Sequence, residues 1–150
     1  MTETTIENGP SPHLSWAELA CHNGAIYPLN WRTTRAATLA EEFEAILTLC
    51  GNRALRVLSA YRTKDYNTRI GGAQFSQHIQ GRALDLHAPV EMTLANFESL
   101  IRNRAKMPES KLKGLGLYPT FIHIDVRPSP KLVVWYGKRK VAEMPKKKTA

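Results

Sequence analysis

The chain has little that would mark it for oxidising surroundings or for a membrane. Only two cysteines, Cys21 and Cys50, occur in 150 residues, far apart and without a CxxC spacing. A disulfide between them is not expected in a chain without a secretory signal, and both read as small buried hydrophobes. No apolar run approaches the roughly 20 residues that span a bilayer. The opening "MTETTIENGPSPH" has neither a basic n-region nor an apolar h-region, so no Sec signal is expected. The chain is read as made in the cytoplasm, and any task outside it needs release or delivery by another route. Internal repeats are absent. Acidic residues are also few, 13 against 21 basic ones, for a net charge of +8. Much of that excess falls in the tail from Lys138 onward, which suits a polyanion such as an anionic cell-wall polymer. Nucleic-acid binding would rest on that charge alone and is not expected.

What is present is an ordinary globular composition, 43% hydrophobic and 23% charged, long enough for one domain with a genuine core. Residues 1–12, with Pro10 and Pro12, read as a flexible lead-in, residues 13–137 as the domain and residues 138–150 as a basic tail. "SWAEL" opens with a capping box, Ser15 and Glu18, and predicts a short helix. Leu39, Phe43, Ile46, Leu47 and Cys50 recur at three- and four-residue spacing, predicting an amphipathic helix over 33–50 that stops at Gly51-Asn52. A strand is expected at 56–61, one or two helical turns at "TKDYNTRI", and a second helix over 93–104. "ALDLHA" and "TFIHIDVRP" alternate as strands. The second places Phe121, His123, Asp125 and Arg127 on one face and Ile122, Ile124 and Val126 on the other. "KLVVWYG" is expected to close an antiparallel hairpin across Pro128-Ser129-Pro130. The order predicts an α+β fold, a small antiparallel sheet flanked by helices.

Two strands each carry an alternating His/Asp pair, Asp85 with His87 and His123 with Asp125. His78 lies in the loop leading into the first. Any one of these alone is more often a surface or satisfied polar residue. Together, His78, Asp85 and His123 supply two imidazoles and a carboxylate, a donor set that zinc accepts in catalytic sites while a fourth position stays open for water. Gly81 lets the backbone turn tightly enough for His78 and Asp85 to face one point. His13 and His22 read as surface or structural, His87 as a residue that lines the cleft at most. Tyr61, Tyr118, Trp135 and Tyr136 are candidate walls of a groove, although such aromatics are more often core. Asp65 and Asn67 are expected to cap a turn.

"SQHIQGRALD" fits S-x-H-x-x-G-x-A-x-D at Ser76, His78, Gly81, Ala83 and Asp85. With "LSAYRTKDYNTRIGGAQFSQH" before it and "GLGLYPTFIHIDVRP" after it, the chain resembles the zinc D-Ala-D-Ala carboxypeptidase and endopeptidase family over roughly residues 14–137. The early "LSWAELAC" is similar to its small bacterial and phage branch, and the fold is the one shared with the hedgehog signalling domain. The resemblance implies Zn2+ held by His78, Asp85 and His123, with water activated by the metal as nucleophile. It implies that Arg62 binds a substrate carboxylate or steadies the oxyanion, and that Ser76 and Gln77 hold the substrate peptide. The implied substrate is the stem peptide of peptidoglycan, cut at an amide involving a D-amino acid by an enzyme acting at the cell wall, after release or as a virion component.

One position departs from the family pattern. Better-studied members carry a Glu or Asp three residues before the last histidine, where this chain has Thr120, which cannot take a proton as a carboxylate does. Asp125, on the strand face of His123, is the candidate base; orienting a ligand histidine is its other reading. The alternative to an enzyme is a non-catalytic, zinc-stabilised binding module on the same scaffold.

Overall fold

The computed structural model describes residues 7–138, and the tail beyond Lys138 lies outside them. In chain order the elements are α1 (Trp16–Leu19), a 3₁₀ turn (Leu29–Trp31), α2 (Arg35–Leu49), β1 (Arg56–Ser59), α3 (Lys64–Arg69), β2 (Ala83–His87), α4 (Leu94–Lys106), β3 (Gly114–Leu117), β4 (Ile122–Asp125) and β5 (Val133–Tyr136). The class is α+β, as expected. The capping box forms, with Ser15 accepting from the Glu18 N–H and Glu18 reaching back to the Ser15 N–H. Thr63 and Thr93 cap α3 and α4 in the same way, each side chain accepting from a backbone N–H three residues on.

The five strands lie in the order β1-β2-β4-β3-β5. All neighbours are antiparallel except β3 and β5, which are parallel. The expected hairpin between β4 and β5 is therefore not made. Both edges of β4 are already taken, by β2 and β3, so the returning chain reverses direction but passes over β3 to its free edge.

One sheet face carries Leu84, Leu86, Leu115, Ile122 and Ile124 into a core with Leu39, Phe43 and Ile46 of α2 and Phe97 and Ile101 of α4. Each such side chain contributes roughly 1.5–3 kcal/mol on burial. A polar clamp joins the two helices beside that core. Glu42, fully buried on α2, accepts from Arg104 Nε and Nη2 at 2.9 Å each, from Ser110 Oγ at 3.0 Å and from the Lys111 N–H at 3.0 Å.

The described part of the lead-in is docked. Gly9 and Pro10 are buried, and Ser11 Oγ and His13 Nδ1 hold the two oxygens of Glu44 at 2.7 and 2.8 Å. Cys21 and Cys50 are buried free thiols. No described helix is long and apolar enough to cross a membrane.

Candidate metal centre and cleft

The opposite face of the sheet is polar, yet it too is covered. All four residues of β4 are buried, where one solvated face was the expectation for a strand of this pattern. The cover is the chain running from β1 through α3 into β2. One ladder register organises the site: Ser59 of β1 stands opposite Asp85, Asp85 opposite His123, His123 opposite Gly116, and Gly116 beside Trp135 of β5. Period-two alternation puts these side chains on one face.

The two glycines of β3 make that face habitable. A Cβ on Gly114 would overlap the Asp125 carboxylate, and one on Gly116 would come within 2.8 Å of the Trp135 ring. Gly81 has φ +67°, the left-handed conformation that its place between His78 and Asp85 requires.

His78, Asp85 and His123 are 2%, 3% and 6% exposed. One donor atom from each can be chosen so that all lie within 4.8 Å of one another. Asp85 Oδ1 sits 3.1 Å from His78 Nε2 and 3.0 Å from His123 Nδ1. Zinc bonds of about 2.0–2.2 Å in tetrahedral array put neighbouring donors roughly 3.3 Å apart, so the spacing is close to that of a filled site.

The donors' electronics agree with a cation between them. His78 Nδ1 donates to the carbonyl oxygen of Ala60 at 2.6 Å, an acceptor that fixes the tautomer. Burial, reinforced by the charge of Arg62, pushes the His78 pKa down to about 4, so the ring is neutral at pH 7. Its Nε2 lies 3.1 Å from the Asp85 carboxylate, which is held well below the usual carboxylate range. Burial opposes that ionisation, and the neighbouring histidines outweigh it. His123 is the reverse case. Burial opposes its charge, but hydrogen bonds to Asp125 and Asp85 win and raise its pKa.

The other expected site residues sit as follows. Ser76 accepts from the His78 N–H at 3.1 Å, and both Ser76 and Gln77 line the cleft above the histidines, whose volume is about 330 Å³. The amide oxygen of Gln77 is buried without a hydrogen-bond partner among the described residues. Arg62 is placed away from the cleft. Its guanidinium has no exposure and is directed to Ser59 Oγ at 3.2 Å, Asn67 Oδ1 at 3.2 Å and Asp85 Oδ2 at 3.4 Å. Asn67 accepts from Arg62 Nη1 and donates across the Gly71-Gly72 turn to the carbonyl of Ala73 at 2.8 Å, joining Arg62 to the loop.

Asp125 is fully buried, and both its oxygens are engaged. Oδ2 meets His123 Nε2 and Arg127 Nη2, each at 2.7 Å, and Oδ1 accepts from Arg127 Nε at 2.9 Å and from the Arg127 N–H at 3.1 Å. Burial works against its charge, yet Arg127 and His123 hold the carboxyl far below its ordinary range. Thr120 is exposed and does not line the cleft.

Tyr118 and Trp135 form cleft walls, while Tyr61 packs among Tyr27 and Trp31, and Tyr136 stands exposed. His87 is exposed at the far end of β2 opposite Arg56 and takes no part in the cluster. His13 pairs with Glu44, and His22 contacts the Leu58 carbonyl at 2.8 Å, both outside the site. The reading of residue types missed Phe75, 85% exposed at the cleft rim, and Arg127. For Arg127 the signal was in the sequence: it continues the alternation of His123 and Asp125.

No curated protein matches the chain. The family model described as Peptidase M15 matches residues 12–125, from the docked lead-in to the last residue of β4. That span takes in all three donors of the candidate metal centre and more than half of the chain, and the chain belongs to the Peptidase M15 family.

Proposed function

We propose that the chain is a zinc-dependent peptidoglycan peptidase that hydrolyses a stem-peptide amide involving a D-amino acid. The observation that carries this is the buried His78–Asp85–His123 group at the floor of an open cleft. Zinc held there supplies a Lewis acid that polarises a carbonyl and brings the pKa of water toward neutrality. The chain's own groups prepare that site. Ala60 sets the His78 tautomer, and Arg62 steadies Asp85 from behind. Ser76 and Gln77 stand along one wall of the cleft, where the peptide would lie.

Asp125 is better suited to orienting His123 through Nε2 than to accepting a proton from water. A carboxylate so far below its ordinary pKa is a weak base, and its four hydrogen bonds leave it no open side. We place the action at the cell wall, as a phage or prophage lysin, with the basic tail on an anionic polymer.

A second reading, a zinc-stabilised binding module, is favoured by Thr120 and by the engaged state of Asp125. Digestion of purified peptidoglycan with mass spectrometry of the released fragments decides between them. New amine and carboxyl ends support the peptidase and name the bond. Intact stem peptides with retained binding would favour the module.

A further inference from the structure

Arg127 follows Asp125 by two residues and lies beside His123 on the cleft wall. A guanidinium carries five N–H groups in a fixed fork. Here Nε and Nη2 are spent on the two oxygens of Asp125, while Nη1 has no protein partner among the described residues. The side chain keeps 26% of its exposure, against none for Arg62. It is also held in place. Its Cζ lies 5.0 Å from the centre of the Trp135 ring, and Trp135 is itself tied to Tyr118 through an indole N–H bond of 3.2 Å.

The charge around it has one sign. Among the described residues no acidic side chain lines the cleft, and Arg127 is the one fixed charge there. Asp125 lies behind the guanidinium with no exposure, so its negative charge does not front the cleft.

We propose that Arg127 grips a carboxylate of the substrate within about one residue of the bond that is cut. A pre-oriented guanidinium edge that loses little freedom on binding suits a carboxylate. The short range follows from the contact chain, since Arg127 touches Asp125 and Asp125 touches His123. The inference rests on the peptidase reading for its substrate. A stem peptide offers this chemistry from two sources, its terminal carboxylate and the side-chain carboxylates of its acidic residues. The cleft would thus select the free acid and discriminate against the amidated form.

The test uses the zinc-loaded full chain. N-acetyl-D-alanine and N-acetyl-D-alaninamide are titrated while NMR follows the Arg127 Nε–H and the Trp135 indole N–H. The acid is expected to bind about tenfold more tightly, with Arg127→Gln bringing it down to the amide's level when compared at equal zinc occupancy and Arg127→Lys falling between. Equal binding of acid and amide by the wild type overturns the proposal. So does an Arg127→Gln protein that keeps the preference, since the metal would then be the anchor. The wild-type comparison needs no variant, so a poorly folding variant does not spoil it.

Stem peptides amidated at the terminus or at the side chain then identify the source, by a KM about tenfold higher at unchanged kcat in one arm. No change in either arm overturns the proposal as well. Failure of the wild type to cut any peptidoglycan would sink the peptidase reading, while the acid–amide difference would still be measured on its own.

Discussion

Asp85 and His123 face each other directly across the β2–β4 ladder, with Asp85 Oδ1 3.0 Å from His123 Nδ1. Two donors of the centre are thus set by strand pairing, and only His78 is brought by a loop. Its bond from Nδ1 to Ala60 and its turn at Gly81 do for the loop what register does for the strands. Metal analysis of the purified chain should find about one zinc per chain. His78→Ala should lose it, and chelation should abolish peptidoglycan hydrolysis until zinc is returned.

Zinc affinity should depend on pH through His123 rather than His78. The pKa of His123 is raised above its ordinary range, so below that pKa the ring holds a proton that the metal must displace. His78, depressed to about 4, adds a second proton only near that pH. Affinity should therefore fall about tenfold per unit of pH across this window. Competition with a chelator at several pH values measures the slope. A slope of two at pH 6 would show that both rings are charged in the metal-free chain.

Asp125→Asn separates orientation from proton transfer. If the carboxylate serves to hold His123, the variant should bind zinc about 10- to 100-fold more weakly. If it were the base, zinc would stay and kcat alone would collapse. Dissociation constants and kcat measured on the same preparation tell the two apart.

Gly114→Ala should act like a mild version of that variant. The new methyl would overlap the Asp125 carboxylate and cost roughly 1–3 kcal/mol in overpacking, with weaker zinc retention. Urea unfolding and metal content report the two effects. A fully stable variant with normal zinc would mean that β3 can move aside.

Away from the site, Glu42→Ala should destabilise the fold by about 3–5 kcal/mol, because it leaves Arg104 buried without its partner. That is a large share of a typical domain stability of about 5–15 kcal/mol. Zinc stoichiometry of the protein that remains folded should be unchanged.

Where local periodicity decides, sequence and structure agree closely. Both long helices lie within two residues of their expected ends, and His123 and Asp125 do share one face. Long-range partners were not legible. Nothing in "KLVVWYG" says that both edges of β4 are occupied, so β5 was expected one strand too early. "AYRT" does not disclose that Ser59, Asn67 and Asp85 enclose the Arg62 guanidinium. Glu42 reads as a solvated helix residue until Arg104, 62 positions away, is seen to close over it.

The row of residues running from Ser59 through Asp85 and His123 to Gly116 and Trp135 ties the candidate metal site to the alignment of the strands. A slip of β4 by one position would send His123 and Asp125 to the apolar side and bring Ile122 and Ile124 to the ion. Such a misfolded chain could not retain metal. If the site takes zinc as proposed, metal uptake during refolding should count only molecules whose sheet has locked in the correct alignment.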